Sequence, residues 1–266
     1  MCIRDRFQIR LSDCVITAYT SNKVVFQGAG SAFHASSYQS VKQHVLPKKH
    51  NVSYPHCGSD EVGTGDVFGP VVVCATYVTE ADLPFLHELG VQDSKAIKDD
   101  QILKIAPLLM KRLPHSLLIL SNEKYNIVHQ SNNLNAIKAK LHNQAYLHLK
   151  KKVGSLSTIY LDQFTTPTSY YRYLKNEKEI VTDIIFETKA ENQFLAVACG
   201  SIIARYAYLQ AMQSLNETYA FTFPKGAGKA VDDAILSFIK QYGSEALKCV
   251  SKLHFANIQK ALKEIN

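Results

Sequence analysis

Apolar and polar positions alternate along the first part of the chain. The alternation runs through residues 7–11, 15–19 and 24–26 and predicts a three-stranded antiparallel meander. Residues 32–46 follow with a helical pattern, and the polar run 47–51 is typical of a linker. We therefore expect a small α+β lobe followed by a domain boundary.

Beyond this boundary, strand-like and helix-like segments alternate. Such a succession is typical of an α/β domain in which helices cover a mixed or parallel sheet. The predicted strands are residues 55–62, 67–78, 117–121, 158–162 and 183–186, and the predicted helices are residues 99–112, 134–153, 192–215, 229–242 and 255–263. The sequence thus divides into a lobe over residues 1–51 and a domain over residues 52–266. Residues 1–6 fit no period and are interpreted as non-native sequence.

The helix predicted over residues 134–153 carries an apolar stripe. Its members recur at helical spacing and are Leu134, Ile137, Leu141, Ala145 and Leu149. We interpret the stripe as the face that packs on the core, which places Lys138, Lys140 and Lys150 toward solvent.

The composition is that of an ordinary globular protein. Of 266 residues, 46% are hydrophobic and 20% are charged, so a normal core can form. The six cysteines have no paired or metal-finger spacing and are expected to be reduced thiols. No apolar run approaches the roughly 20 residues that a membrane span needs, and the N-terminus lacks a signal-peptide core. We therefore expect a cytoplasmic protein with no membrane partner.

The positive charge is concentrated near the N-terminus. The net charge is +7, and residues 1–50 contribute +5 of it, from seven Lys and Arg against two Asp. A basic lobe suits a polyanionic partner because each phosphate that is neutralised releases counterions. A modest basic excess is also common on proteins without such a partner, so charge alone leaves the point open.

Two adjacent acids and a glycine-rich turn form the densest chemical signal. Asp60 and Glu61 end a short apolar strand and are followed by Gly63, Thr64 and Gly65. Packing explains carboxylates at this place poorly, and paired glycines leave backbone N–H groups open to an anion such as a phosphodiester. An ordinary tight turn is the structural alternative.

Familiar nucleotide-binding motifs do not fit this turn. A Walker A loop needs a lysine directly after its last glycine, whereas Thr64 follows Gly63. The dinucleotide-binding pattern needs a third glycine where Phe68 stands, and Gly69 comes one residue late. We therefore expect no nucleotide cofactor.

Two further acids lie at the boundaries of predicted elements farther along the chain. Asp162 ends a β-branched and aromatic run, so it projects from the carboxyl end of a strand, where sites in such sheets usually lie. Glu191 precedes a long predicted helix, where a carboxylate can also serve as a helix cap. With Asp60 and Glu61 they make four acids that can converge on hard divalent cations, since Mg²⁺ prefers oxygen ligands. Two such ions suit phosphodiester hydrolysis, and the sequence offers no serine or cysteine nucleophile motif.

These motifs, in this order and spacing, resemble the type 2 ribonucleases H and, among them, ribonuclease HIII. The resemblance covers residues 54–260. The Gly-Thr-Gly turn is similar to the HIII version of the Gly-Arg-Gly of ribonuclease HII. The matching segments are residues 60–66 (Asp-Glu-Val-Gly-Thr-Gly-Asp), 89–95 (Leu-Gly-Val-Gln-Asp-Ser-Lys), 161–164 (Leu-Asp-Gln-Phe), 189–191 (Lys-Ala-Glu) with the following 196–205, 223–228 (Phe-Pro-Lys-Gly-Ala-Gly) and 252–257 (Lys-Leu-His-Phe-Ala-Asn).

The resemblance implies an RNase H-like fold, a mixed sheet flanked by helices. It implies endonucleolytic hydrolysis of the RNA strand of RNA/DNA hybrids, which leaves 3′-hydroxyl and 5′-phosphate ends. It also implies that Asp60, Glu61, Asp162 and Glu191 are catalytic and hold Mg²⁺ or Mn²⁺ in a two-metal site.

The resemblance further implies contacts with the hybrid backbone, where 2′-hydroxyls identify RNA. The residues implied are Gly63, Thr64, Gly65, Ser94, Lys95 and Lys225. For the last three, which are expected to contact phosphates, ordinary solvated loop residues are the alternative.

The N-terminus departs from the family pattern. The family begins with a TBP-like domain, and this chain has room for only part of that domain ahead of its linker. We therefore interpret residues 1–51 as a partial TBP-like lobe that binds substrate, and we expect a monomer.

Three alternatives stay open at this point. An HII-like enzyme would cut at a single ribonucleotide embedded in DNA, although Thr64 in place of arginine argues against it. A non-catalytic hybrid-binding protein would use the acids only as caps and bridges. Another nuclease of the RNase H fold, such as a resolvase, would share the acids but prefer branched DNA.

Overall fold

The structure is a computed structural model of the chain. Contacts between Cα atoms divide it into two compact units, residues 1–51 and residues 52–266. Each unit has its own sheet. The residues that the structure describes are 5–19, 24–39, 52–91 and 97–265.

The smaller unit consists of an antiparallel sheet and a helix. Strands β1 (Asp5–Arg10), β2 (Val15–Tyr19) and β3 (Val24–Gln27) pair in chain order. Helix α1 covers Ser31–Gln39. The predicted meander is confirmed, but its first strand begins at Asp5, so two of the residues 1–6 that show no period in the sequence belong to a strand. The part of the predicted helix beyond residue 39 lies outside the described residues.

The larger unit is built on a five-stranded mixed sheet. Across the sheet the order is β6-β5-β4-β7-β8, in which β4, β7 and β8 are parallel and β5 is antiparallel to both neighbours. The predicted fold class, α/β with a mixed sheet, is confirmed. The strands are β4 (His56–Val62), β5 (Val71–Val78), β6 (His115–Leu120), β7 (Thr158–Asp162) and β8 (Ile184–Glu187).

Helices cover both faces of this sheet. Because side chains alternate along a strand, Val72 and Cys74 of β5 face α7, while Val73 and Ala75 face α5. The helices are α2 (Leu83–Glu88), α3 (Asp99–Arg112), α4 (Asn122–His129), α5 (Leu134–Val153), α6 (Pro167–Leu174), α7 (Leu195–Thr218), α8 (Lys229–Tyr242), α9 (Leu247–Val250) and α10 (Ala256–Ile265).

Helices with a long apolar period lie where the sequence predicts them. Helices α3, α5 and α8 begin and end at the predicted residues. The pattern does not predict α4 and α6, since each has only about two turns. Their starts do carry a capping signal, because the side chains of Ser121 and Thr166 accept the backbone N–H of Lys124 and Ser169.

The start of α7 differs from the prediction. The helix begins at Leu195, and Glu191 lies in a separate 3₁₀ turn, Ala190–Asn192. Phe194, which has no side-chain acceptor, occupies the N-cap position of α7. The helix-capping alternative for Glu191 therefore does not apply to α7.

Helix α7 is the core helix of the larger unit, and two glycines allow it to approach the sheet. A Cβ atom on Gly58 would lie 2.4 Å from the Val197 nitrogen, and one on Gly200 would lie 2.7 Å from the Cys74 carbonyl oxygen. Helix α7 is long and apolar enough to cross a membrane, although the sequence predicts no segment of that kind. In the structure, 61% of its most apolar window is buried, which is typical of a core helix.

Candidate active site

Asp60, near the carboxyl end of β4, and Asp162, at the carboxyl end of β7, lie on neighbouring parallel strands. Strand β4 pairs with β7 in a register that sets Ser59 opposite Leu161. The next residues in this register are Asp60 and Asp162, and the charge of Asp162 contributes to the electrostatic environment of Asp60. The sheet therefore brings two of the predicted acids together.

The environment of Asp60 disfavours a lone negative charge. Burial, and then the charge of Glu61, raise the pKa of Asp60 to about 7, with a smaller contribution from Asp162. Hydrogen bonds from Ser201 and from the backbone N–H of Glu61, at 2.8 Å, act in the opposite direction. A cluster of this kind is stabilised when a cation shares it.

The turn after β8 brings the backbone just ahead of Glu191 into contact with Asp162. Lys189 has a left-handed backbone conformation, with φ of 56°, which residues other than glycine rarely adopt. This conformation lets the Ala190 N–H donate to Asp162 Oδ1 at 3.0 Å. Glu191 is the next residue and is 2% exposed. Strained backbone of this kind is common at functional turns.

Glu61 is held by two side chains of α5. Its Oε2 lies 2.8 Å from His142 Nε2, and its Oε1 forms an ion pair with Lys138 Nζ. Burial acts to raise the pKa of Glu61, but the hydrogen bond and charge of His142, together with Lys138, lower it below its ordinary value.

Lys138 does not point to solvent, and that prediction is wrong. It is 7% exposed, because α5 is buried around most of its circumference. The apolar stripe marks only one of the buried sides of this helix. Lys140 is partly exposed and Lys150 is exposed, as predicted.

The four predicted ligands fit a divalent metal by their chemistry. Among the residues that the structure describes, no three His, Cys, Asp or Glu side chains are already arranged as a metal site. Both oxygens of Glu61 are engaged by α5. The donor set is nevertheless all carboxylate, as Mg²⁺ and Mn²⁺ prefer, and Asp60 lies beside two other acids. The assignment of Asp60, Glu61, Asp162 and Glu191 as ligands stays a prediction.

The glycine-rich turn contains one packed and one open glycine. Gly63 has φ of 88°, and a Cβ atom there would lie 2.2 Å from the Pro70 carbonyl oxygen, so the backbone requires glycine. Gly65 is exposed, and no described atom lies within 4 Å of its Cβ position. Thr64 is partly exposed. A backbone phosphate can therefore approach the turn at Thr64 and Gly65.

Asp66 and Lys252 fasten this turn to the C-terminal part of the chain. Asp66 Oδ1 accepts the Gly226 N–H, and Lys252 Nζ donates to the carbonyl oxygens of Asp66, at 2.8 Å, and Gly69. Lys252 is fully buried, and burial lowers the pKa of its ammonium group to about 7. The sequence assigns Lys252 no such role, since nothing in its neighbours marks a buried lysine.

Lys225 is bound to a carboxylate but remains accessible. Its Nζ lies 2.7 Å from Asp99 Oδ2, and Arg205 Nε lies 2.8 Å from Asp99 Oδ1. The Lys225 side chain is 49% exposed, so a phosphate can reach it. Ser94 and Lys95 lie outside the described residues, and their phosphate contacts stay predictions.

Comparisons with known proteins match both parts of the chain. The sequence model of the ribonuclease HII family matches residues 57–258, and a domain of unknown function, DUF3378, matches residues 5–51. Ribonuclease HIII of Bacillus pumilus is 44% identical over 97% of this chain and 89% of its own length. Ribonuclease HIII of Bacillus subtilis is 43% identical over 96% of this chain and 87% of its own length.

Solved structures match over nearly the whole chain. The crystal structure of Bst-RNase HIII in complex with Mn²⁺ is 38% identical, with a TM-score of 0.78 over 98% of this chain and 89% of that chain. Aquifex aeolicus RNase H3, at 22% identity and a TM-score of 0.61 over 95% of this chain and 89% of that chain, shares the fold. The resemblance found in the sequence motifs is thereby confirmed, and the chain belongs to the ribonuclease HIII family.

Proposed function

We propose that this chain is a metal-dependent endonuclease that hydrolyses the RNA strand of RNA/DNA hybrids and leaves 3′-hydroxyl and 5′-phosphate ends. The observation that carries the proposal is the placement of Asp60 and Asp162 one residue beyond a paired position on adjacent parallel strands, with Glu61 beside Asp60, in a chain of the ribonuclease HIII family. The Mn²⁺ complex of Bst-RNase HIII supports a divalent metal cofactor.

Asp60, Glu61, Asp162 and Glu191 would hold Mg²⁺ or Mn²⁺ in a two-metal site. When bound, these ions supply activation of the attacking water and stabilisation of the leaving oxygen. The chain itself contributes by holding the carboxylates in fixed positions. Asp60 and Asp162 are carried by one sheet, and the Ala190 N–H fixes Asp162, so the carboxylates need little reorganisation during the reaction.

We expect hybrids with several consecutive ribonucleotides to be cut at least about tenfold faster than DNA with one embedded ribonucleotide. Ribonuclease HII carries arginine where Thr64 stands, and Thr64 is partly exposed beside the open Gly65. A hydrogen bond to a charged group contributes about 1.5–3 kcal/mol, which corresponds to a factor of at least about ten. Initial rates on the two substrates in Mg²⁺ measure the ratio.

A four-way DNA junction is the third substrate in this comparison, and a binding assay with the hybrid accompanies the rate measurements. Comparable rates, or faster cutting at the lone ribonucleotide, would favour the HII-like alternative. Preferred cleavage of the junction would favour a resolvase. Binding of the hybrid without any product in Mg²⁺ would favour a non-catalytic binding protein.

We further propose that residues 1–51 form a partial TBP-like lobe that helps to bind the hybrid. Residues 1–50 carry +5 of the net charge and none of the four proposed metal ligands. Deletion of residues 1–50 is expected to weaken hybrid binding more than it slows cleavage at saturating substrate. The logarithm of the association constant decreases linearly with the logarithm of the salt concentration. For each phosphate that the truncated protein no longer neutralises, this decrease should become less steep by about 0.7 to 0.9.

Binding isotherms at two salt concentrations, with Ca²⁺ in place of Mg²⁺ to suppress cleavage, measure this effect. The matched control is the single-turnover rate of the truncated protein at saturating hybrid, which should stay near that of the full chain. Unchanged affinity and an unchanged salt slope would contradict a role of the lobe in anchoring.

We also propose that the enzyme acts as a monomer in the cytoplasm. The candidate site is assembled from side chains of a single chain. Cys14, Cys57, Cys74 and Cys199 are free and buried, as expected for reduced thiols in a reducing compartment.

A further inference from the structure

A buried lysine occupies one oxygen of a candidate metal ligand. Lys138 Nζ pairs with Glu61 Oε1, and the two side chains are 9% and 12% exposed. The same Nζ lies 3.9 Å from the centroid of the Phe164 ring, which favours a cation over its face. A buried ammonium group is costly unless it is paired, so this contact differs in kind from a surface ion pair.

A chain of hydrogen bonds fixes Glu61 from the other side. The Tyr146 hydroxyl donates to the Tyr160 carbonyl oxygen at 2.6 Å, and the Ser59 hydroxyl donates to the Tyr146 oxygen at 2.7 Å. Because each hydroxyl has one proton, the 2.8 Å bond between Ser59 Oγ and His142 Nδ1 must take its proton from His142. The remaining ring nitrogen, Nε2, lies 2.8 Å from Glu61 Oε2, and it donates to this carboxylate when it also carries a proton, as in the imidazolium form. Ser59 and Tyr146 thus set the ring orientation that holds Glu61.

Both oxygens of Glu61 are therefore engaged by side chains of α5. A divalent cation held by the proposed ligands would compete with Lys138 for Glu61 Oε1. It is also repelled by the ammonium charge, and such repulsion is strong where water is largely excluded. The two effects act in the same direction, and both weaken metal binding.

We propose that Lys138 is a positioning residue that serves as a resident counter-cation of Glu61 and competes with the divalent metal for this carboxylate. The inference rests on the proposed function, because it takes Asp60, Glu61 and Asp162 as metal ligands. Lys138 neutralises and directs Glu61. The consequence is that Lys138 lowers the affinity of the site for metal.

The test is Mn²⁺ binding to the full chain without nucleic acid, measured by isothermal titration calorimetry. Lys138→Met removes the ammonium group but keeps a side chain of similar length over Phe164. We expect the Kd for Mn²⁺ to fall about tenfold in this variant. Saturating Mn²⁺ should also raise its Tm more than that of the wild type. If Lys138 had a merely structural role, the substitution would loosen the site and raise the Kd for Mn²⁺.

Lys140→Met is the matched control, because Lys140 is on the same helix but pairs with Glu177 at 3.1 Å. Its Kd for Mn²⁺ should stay within about twofold of the wild-type value. Lys138→Arg keeps the charge and should also stay near the wild type. Lys138→Gln gives a second neutral variant, with a polar group in reach of Glu61, if Lys138→Met does not fold.

Unchanged or weaker Mn²⁺ binding by the folded neutral variants of Lys138 would overturn the inference. Failure of the wild type itself to bind Mn²⁺ would instead contradict the proposed function, so the two failures are distinguishable. Asp162→Asn, which should lose most of the binding heat, verifies that the heat arises at the candidate site.

Discussion

Asp162→Asn is expected to slow cleavage of an RNA/DNA hybrid about 10³-fold at saturating Mg²⁺ while the protein stays folded. The substitution removes the charge of a proposed metal ligand but changes little volume. The remaining side-chain oxygen can still accept the Ala190 N–H that fixes this position at 3.0 Å. Single-turnover cleavage of a labelled hybrid measures the rate, and the thermal unfolding temperature measures the fold.

Asp233→Asn is the matched control for this substitution, since Asp233 is an exposed acid on α8 and undergoes the same chemical change. Its rate should stay within about twofold of the wild type. Asp60→Asn and Glu61→Gln are expected to resemble Asp162→Asn. Near-normal turnover by any of these three would remove that residue from the catalytic set, and near-normal turnover by Glu191→Gln would make the buried Glu191 a structural acid.

Gly58→Ala is expected to lower the free energy of unfolding by about 3 kcal/mol, the upper part of the range for overpacked cores. The new methyl group would lie 2.4 Å from the Val197 nitrogen and 2.8 Å from the Ala196 carbonyl carbon. Both are backbone atoms of α7, so the whole helix must move away from β4. Because Ser201 of α7 hydrogen bonds to Asp60, the same shift should also reduce cleavage. Denaturant unfolding followed by circular dichroism measures the destabilisation.

Gly65→Ala is the matched control, because no described atom lies within 4 Å of the position that its methyl group would take. Its unfolding free energy should stay within about 0.5 kcal/mol of the wild type. Equal stabilities of the Gly58 and Gly65 variants would contradict the close approach of α7 to β4.

Elements that depend on local pattern were predictable from the sequence. The apolar periods of α3, α5 and α8 locate these helices, and stop signals mark their ends. Pro114 stands two residues after α3, and Gly154 and Gly243 directly follow α5 and α8. Strand β7 is found at the predicted residues, with Asp162 at its carboxyl end. The proximity of Asp60 and Asp162 needs the parallel pairing of β4 with β7, which the alternation of strands and helices only suggests.

Features that depend on tertiary partners were not predictable. Lys138 and His142 belong to a helix that is buried on several sides, and only the neighbouring Glu61 explains why a lysine is tolerated there. Burial of Lys252 is tolerated because the carbonyl oxygens of Asp66 and Gly69 accept hydrogen bonds from its ammonium group. In each case the partner is distant in sequence, so periodicity assigns the charged residue to solvent or gives it no role.

Cleavage of a hybrid with a labelled RNA strand, in the presence and absence of metal, is the decisive measurement for the proposed function. We expect wild-type protein in Mg²⁺ or Mn²⁺ to cut the RNA strand internally, to leave 3′-hydroxyl and 5′-phosphate ends, and to spare the DNA strand. Addition of EDTA should abolish all product, and Asp162→Asn should form product about 10³-fold more slowly. Cleavage that persists in EDTA, cleavage of the DNA strand, or an RNA strand left intact by folded, metal-saturated wild type would show that the proposed function is wrong.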